Sequence, residues 1–239
     1  MRAVVVLLIF QIFCTSFLFS QEVTNQLWLE YRPTYTFSPK VKVDMRLSFR
    51  DEFDDTNWHT WEARFIPALK LSKGFDVNLG LSFLETSQAL QLSTTEIRLA
   101  PGMRYKLPWE RVELGAWARF ELRWVYNKEL SDWTYTTRPR LRIFTDIPIN
   151  AKSMKEDGFI YATSFIEFFY QDDDDVQERY AQRYWFRLGL GYKLNQNWRF
   201  EMLYNRQDSK STINTSFDEL SKQNIFVIAV RHQLNKQKK

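Results

Sequence analysis

The chain has 239 residues, which suits one barrel or sandwich domain rather than several domains. Aromatic residues make up 17% of it, while glycine and proline occur seven times each, so a disordered or collagen-like chain is excluded. The formal net charge is only +4 and charges of both signs are interleaved along the chain, so we expect no nucleic-acid partner.

The first twenty residues have the pattern of a secretory signal peptide. Arg2 supplies the positive charge, an apolar stretch continues to Phe19, and the small residue Ser20 suits the position before a cleavage site that would leave Gln21 as the N terminus. An uncleaved membrane anchor is the alternative, because the stretch is close to the shortest spanning helix. The one cysteine, Cys14, lies in this segment, so we expect a mature chain without disulfides.

The rest of the sequence alternates between apolar and polar residues with a period of two, which is typical of β-strands. Eleven such runs follow one another, with approximate bounds 26–37, 41–53, 59–71, 75–85, 94–107, 110–125, 133–147, 158–171, 180–194, 197–208 and 223–234. Many have ten to fourteen residues, whereas globular strands average about five or six and a strand that crosses a bilayer needs about nine to eleven. The lengths therefore favour membrane strands over a soluble sandwich.

The connections alternate between short turns and longer polar segments. Short turns lie at 38–40, 72–74, 108–109 and 195–196, and longer segments at 54–58, 86–93, 126–132, 172–179 and 208–222. This is typical of outer-membrane barrels, whose turns are periplasmic and whose loops are extracellular. The connection 150–157 is longer than the alternation predicts.

Aromatic residues collect near the ends of the runs. They include Tyr35, Phe37, Phe53, Trp58, Trp124, Tyr126, Trp133, Tyr135, Phe168 to Tyr170, Tyr192 and Trp198. Girdles at the two membrane interfaces would have this distribution, and so would packing at the ends of a sandwich.

These patterns predict an all-β fold in which residues 21–239 form a single closed antiparallel transmembrane β-barrel of about ten to twelve strands. Single-chain bacterial barrels have an even number of strands, so the count of eleven implies that one run is merged or split.

The polar face of the runs is rich in charge. It carries Glu30, Arg32, Asp44, Arg46, Arg50, Glu62, Arg64, Glu96, Arg98, Glu113, Arg119, Glu121, Arg123, Arg138, Arg140, Arg142, Arg183, Arg187, Arg199 and Glu201. We expect these side chains to line the lumen, either as a structural ion-pair network or as a narrow basic channel that favours anions. Arg138, Arg140 and Arg142 share one face, so acids from neighbouring strands or an anion should lie beside them.

Few residues could carry catalysis or metal binding. His59 lies beside an acidic segment with Asp54 and Asp55, and a loop histidine of this kind could serve a lipid-modifying enzyme, although a surface histidine is the simpler interpretation. The carboxylates Asp172 to Asp175, followed by Glu178, lack the spacing of a calcium loop and read as a solvated loop tip. His232 lies in the apolar register of the last run. We therefore expect no enzyme activity, no catalytic or metal site and no cofactor.

The stretch from Thr137 to the C terminus resembles an outer-membrane barrel family known as "domain of unknown function 2490". The resemblance is carried by the strand at 138–142, by Ile166 to Phe169, by Arg183 to Tyr192 and by the strand Glu201 to Tyr204. It implies a β-barrel in the outer membrane, and it implies no known activity or site. Barrel-assembly substrates usually end in an aromatic residue, whereas this chain continues past Leu234 into a polar tail.

The expected location is the outer membrane of a Gram-negative cell, and the expected partners are outer-membrane lipids, lipopolysaccharide and the barrel-assembly machinery. Two alternatives stay open: an outer-membrane lipid-modifying enzyme that uses His59, and a soluble periplasmic β-sandwich or lipocalin-like binder.

Overall fold

A computed structural model describes residues 23–53, 58–88, 93–170, 181–210 and 220–235. The predicted signal peptide with Cys14 lies outside these residues, as do Asp54, Asp55 and the segment 172–178 with its five carboxylates. Every described element is a strand: β1 (Val23–Thr36), β2 (Val41–Glu52), β3 (His59–Ser72), β4 (Phe75–Ser87), β5 (Thr94–Lys106), β6 (Glu113–Asn127), β7 (Asp132–Pro148), β8 (Phe159–Phe169), β9 (Ala181–Lys193), β10 (Trp198–Lys210) and β11 (Leu220–Gln233).

The strands form one closed barrel in chain order. Each strand pairs antiparallel with the next, and β1 pairs with β11 in parallel over twelve residues, from Val23 opposite Lys222 to Thr34 opposite Gln233. The all-β closed barrel is thus confirmed, and each predicted run matches a strand to within three residues at either end.

The expectations of an even strand number and of antiparallel pairing throughout are wrong for the described residues. In an up-and-down barrel with an odd number of strands, the last strand runs in the same direction as the first, so the closing pair must be parallel. The described chain consequently begins at one end of the barrel and finishes at the other. The connections after β2, β4, β6, β8 and β10 lie at the end where β1 begins, here called the loop end. The others lie at the opposite end, here called the turn end, where the connection between β7 and β8 is the longest.

The register places the polar face of every strand on the inside. Ser48 of β2, for example, is paired with Glu30 of β1 and with Glu62 of β3, and all three side chains are buried. Leu47, its neighbour in the chain, is paired with Tyr31 and Ala63 and is 49% exposed on the outside. Because a slip of one residue would turn every side chain to the opposite face, burial of the charged side fixes this register.

A group of apolar side chains also lies inside the barrel. Trp28 and Trp185 meet edge to face with ring centroids 5.5 Å apart, and Phe165 and Phe169 belong to the same buried cluster. The cluster also contains Ile225 of β11, so it joins β1 to β11 across the parallel seam.

The connection between β7 and β8, which is longer than the alternation predicts, packs against the turn end. Met154 is buried there in a small cluster with Phe159 and Tyr161, and its carbonyl oxygen accepts a hydrogen bond of 3.0 Å from Nζ of Lys193. The Tyr161 ring lies directly over Gly191, where a Cβ atom would come within 2.2 Å of Cζ. The extra length therefore allows this connection to fold back onto the barrel.

None of the described residues belongs to a helix long and apolar enough to cross a membrane.

Candidate functional site

The predicted loop histidine is not in a loop. His59 is the first residue of β3, where it is paired with Asp51 and Ser87, and its ring lies 6.4 Å from that of Phe49. It shares its side of the strand with Trp61, which is 57% exposed, so it belongs to the outer surface. Pairing with β2 extends β3 to this point and turns the imidazole outward.

His232 also lies on the outer surface, at the turn end of the parallel seam. Its Nδ1 is 2.7 Å from the Tyr31 hydroxyl, and its ring stacks on Trp198 with centroids 3.7 Å apart. These contacts join β11 to β1 and β10. Among the described residues, no group of three or more His, Cys, Asp or Glu residues could hold a metal ion.

The charged side chains at mid-height of the barrel interior form a central ion-pair layer. Its members are at most 6% exposed, and they are Glu30, Glu62, Arg119, Glu121, Arg140 and Glu167.

Two carboxylates in this layer each form ion pairs with three arginines. Glu167 of β8 pairs with Arg119, with Arg140 at 2.8 Å and with Arg142 at 2.6 Å. Glu62 of β3 pairs in the same way with Arg46 at 2.7 Å, with Arg64 at 2.7 Å and with Arg50.

The three arginines of β7 meet acids from both neighbouring strands. Arg138 donates to Glu121 of β6 at 2.8 Å and 3.0 Å, and Arg140 bridges from Glu121 to Glu167 of β8. Arg142 pairs with Glu167 alone. Each guanidinium thus has a counter-charge at hydrogen-bonding distance, which offsets the cost of removing it from water.

Two cavities lie on opposite sides of the central layer. The loop-end cavity has a volume of about 120 Å³ and is lined by Trp28, Trp58 and Arg98 among others. The turn-end cavity has a volume of about 480 Å³ and reaches from Arg187 to Arg199. The two share no lining residue, and no member of the central layer lines either of them.

The turn-end cavity is strongly cationic. Ten Lys or Arg side chains line it, against three carboxylates, Asp44, Glu113 and Asp146. A wider vestibule of about 760 Å³ at the mouth shares Lys42, Arg104 and other residues with it, so the cavity opens towards the turn end.

Several interior residues did not emerge from the sequence patterns. Trp28, Trp117 and Trp185 occupy inward positions. The Arg142 guanidinium lies over the rings of Trp117 and Trp185. The sequence signal for these three residues was that each occupies a position where the alternation of its strand otherwise places polar residues. Trp58 was expected among the interfacial aromatics, but it is 6% exposed and lines the loop-end cavity. The side chain of Arg183 lies outside the described part of the structure.

The geometry defines a closed β-barrel with a core of buried ion pairs and a cationic cavity open at one end. By sequence, the chain belongs to the family described as "Protein of unknown function (DUF2490)", whose model matches residues 25–218. That match confirms the resemblance found in the sequence and covers β1 to β10. No curated protein matches the chain.

Proposed function

We propose that the protein is an integral outer-membrane β-barrel whose interior is sealed by the central ion-pair layer, so that its role is structural or ligand-binding rather than that of an open pore. One observation carries the membrane assignment: large apolar side chains stand exposed on the outside of all eleven described strands. One from each strand, in chain order, gives Leu29, Leu47, Phe65, Leu81, Met103, Phe120, Leu141, Ile160, Leu188, Met202 and Phe226, which are 42% to 74% exposed.

A surface of this kind is unfavourable in water. Soluble monomers rarely expose a continuous apolar patch larger than about 300–600 Å². The strands have 11 to 17 residues, and at about 3.4 Å per residue and a tilt of about 40° a 13-residue strand rises about 34 Å. That height exceeds the apolar band of about 25 Å in outer-membrane barrels.

Aromatic pairs on the outer surface support the same proposal. At the loop end, Trp124 lies against Tyr135 and Tyr126 against Trp133, with ring centroids 5.5 Å and 5.1 Å apart. At the turn end, Tyr35 lies against Phe37 at 4.7 Å. Amphipathic rings at both ends of an apolar band are what the two membrane interfaces favour.

The sealed interior favours the structural interpretation of the charged face over the anion channel. A barrel of about eight strands has an interior that side chains just fill, and in this wider barrel buried ion pairs fill the middle of the interior. The central layer separates the two cavities, and an ion that passed through would have to break several buried ion pairs. The soluble-sandwich alternative requires apolar faces packed against each other, whereas here the inside is charged and the outside apolar.

Membrane insertion is tested by fractionation and by gel mobility. We expect the full chain to stay in the outer-membrane fraction through carbonate and high-salt washes, after loss of residues 1–20, and to migrate differently when heated. Release by carbonate together with unchanged mobility on heating would refute the proposal.

Conductance tests the seal. In planar bilayers we expect wild-type barrel to insert silently, and we expect the double variant Glu121→Ala, Arg140→Ala, which removes one charge of each sign from the central layer, to conduct. Stable ion-conducting steps from the wild type at low voltage would contradict the sealed interior.

A further inference from the structure

Arg187 of β9 is a buried cation that forms no ion pair with a described carboxylate. It is 5% exposed and lines the inner part of the turn-end cavity. Its Nε donates to Oδ1 of Asn205 at 2.6 Å, while its buried Nη2 has no hydrogen-bond partner. Glu30 and Glu201 are near enough to attract it electrostatically, but neither lies within the 4.0 Å of an ion pair. Because a buried guanidinium is costly when its donors are not all hydrogen-bonded, the free Nη2 favours an acceptor at this point.

A second guanidinium lies against the same aromatic ring. Arg142 and Arg187 are 4.0 Å and 4.7 Å from the centroid of Phe165. Arg142 shares its one carboxylate, Glu167, with two other arginines, and its own buried Nε has no partner. Two guanidinium groups with unused donors therefore converge on one ring at the inner end of the cavity, where an oxyanion would supply both charge and acceptors.

The size and lining of the cavity suit a ligand larger than an inorganic ion. Its volume of about 480 Å³ lies in the range of about 300–1,000 Å³ that holds small organic ligands. Apolar side chains, among them Trp117, Phe144 and Leu203, form part of its wall. Five Lys or Arg residues and one carboxylate, Asp76, line the vestibule, so the entrance attracts anions.

We propose that the turn-end cavity binds a small organic anion, whose carboxylate or phosphate group is held by Arg142 and Arg187 beside Phe165 and whose apolar part lies against the cavity wall. This goes beyond the proposed function: a barrel that inserts and stays silent but binds no anion would leave the structural role standing and refute the binding site.

The test is calorimetric titration of the refolded mature chain in lipid nanodiscs, with empty nanodiscs as the blank. The probes are phenylacetate, phenyl phosphate, inorganic phosphate and benzyl alcohol. We expect phenylacetate or phenyl phosphate to bind at least about tenfold more tightly than the other two, since neither the charge nor the ring suffices alone. Which of the two organic anions binds distinguishes a carboxylate ligand from a phosphate ligand. Equal affinity for benzyl alcohol, equal affinity for inorganic phosphate, or no binding of either organic anion would overturn the proposal.

The variant Arg187→Gln tests the assignment of the residue. It leaves no carboxylate unpaired, and its amide can still bond Asn205, so we expect it to fold and to lose at least about tenfold in affinity. The matched control is Arg98→Gln, which removes an inward arginine from the loop-end cavity and should keep wild-type affinity. Wild-type affinity in Arg187→Gln would refute the assignment. Heat-modifiable mobility verifies folding, and the wild-type titrations decide the proposal even if a variant fails to fold.

Discussion

Replacing Glu167 with Gln removes one negative charge from the centre of the barrel and leaves the side-chain volume nearly unchanged. Glu167 is fully buried and accepts hydrogen bonds from Arg119, Arg140 and Arg142. In the variant Arg140 keeps Glu121, while Arg119 and Arg142 lose the one carboxylate with which each is paired. Removing one partner of a buried ion pair costs about 3–5 kcal/mol, so we expect the free energy of unfolding to fall by at least that amount.

The assay is equilibrium unfolding of the refolded barrel in lipid vesicles, followed by tryptophan fluorescence over a urea series. The matched control is Glu113→Gln, which removes a partly exposed carboxylate that pairs with Lys106 at 2.8 Å near the turn end. A partly exposed pair contributes about 0.2–1 kcal/mol, so the control should shift the midpoint only slightly.

Combining Glu167→Gln with Arg142→Gln completes a double-mutant cycle. Because the two side chains are in direct contact, we expect a coupling energy of about 0.5–3 kcal/mol. If Glu167→Gln unfolds within 1 kcal/mol of wild type, or if the cycle is additive, the reasoning that the central layer is held by interdependent buried charges is wrong.

Two further predictions concern packing and topology. Gly191→Ala should destabilise the barrel by about 1–3 kcal/mol in the same urea assay, because its Cβ would come within 2.2 Å of the Tyr161 ring. Gly80→Ala, whose nearest contact would be 3.3 Å, should cost less, and an equal cost for the two would contradict this account. Because β1 and β11 are parallel, epitope tags placed before Val23 and after Asn235 of the mature chain should lie on opposite sides of the membrane. Detection of both tags on the same side of intact cells would contradict the parallel closure.

The strands were predictable from the sequence because successive side chains of a strand point to opposite faces, and this holds along the whole chain. Every second side chain from Val41 to Glu52 faces outward, and the alternation in the sequence records this directly. The charged face was predictable for the same reason: residues such as Glu30 and Glu201 share a parity with their neighbours.

Other features depend on contacts between distant parts of the chain, which no local pattern records. The alternation gives the number of strands but not the partner of the last one, so the parallel closure was missed. Trp58 looks like an interfacial aromatic until its position inside the loop-end mouth is known. Arg187 looks like every other inward arginine in the sequence, and only the pairing of the surrounding acids with other arginines leaves it without an ion pair.

The central claim is that the outward side chains face hydrocarbon, and spin labelling measures this most directly. Residues 21–239 contain no cysteine, so single cysteines can be introduced in that part of the chain. The sites are Leu81, Leu141 and Leu188, which lie near mid-strand on the outside, and Leu130 in the β6–β7 connection. In lipid vesicles we predict that labels at the first three sites collide with oxygen far more than with a water-soluble nickel complex, and that the label at Leu130 shows the reverse. Mid-strand labels that are more accessible to the nickel complex than to oxygen would contradict the membrane assignment.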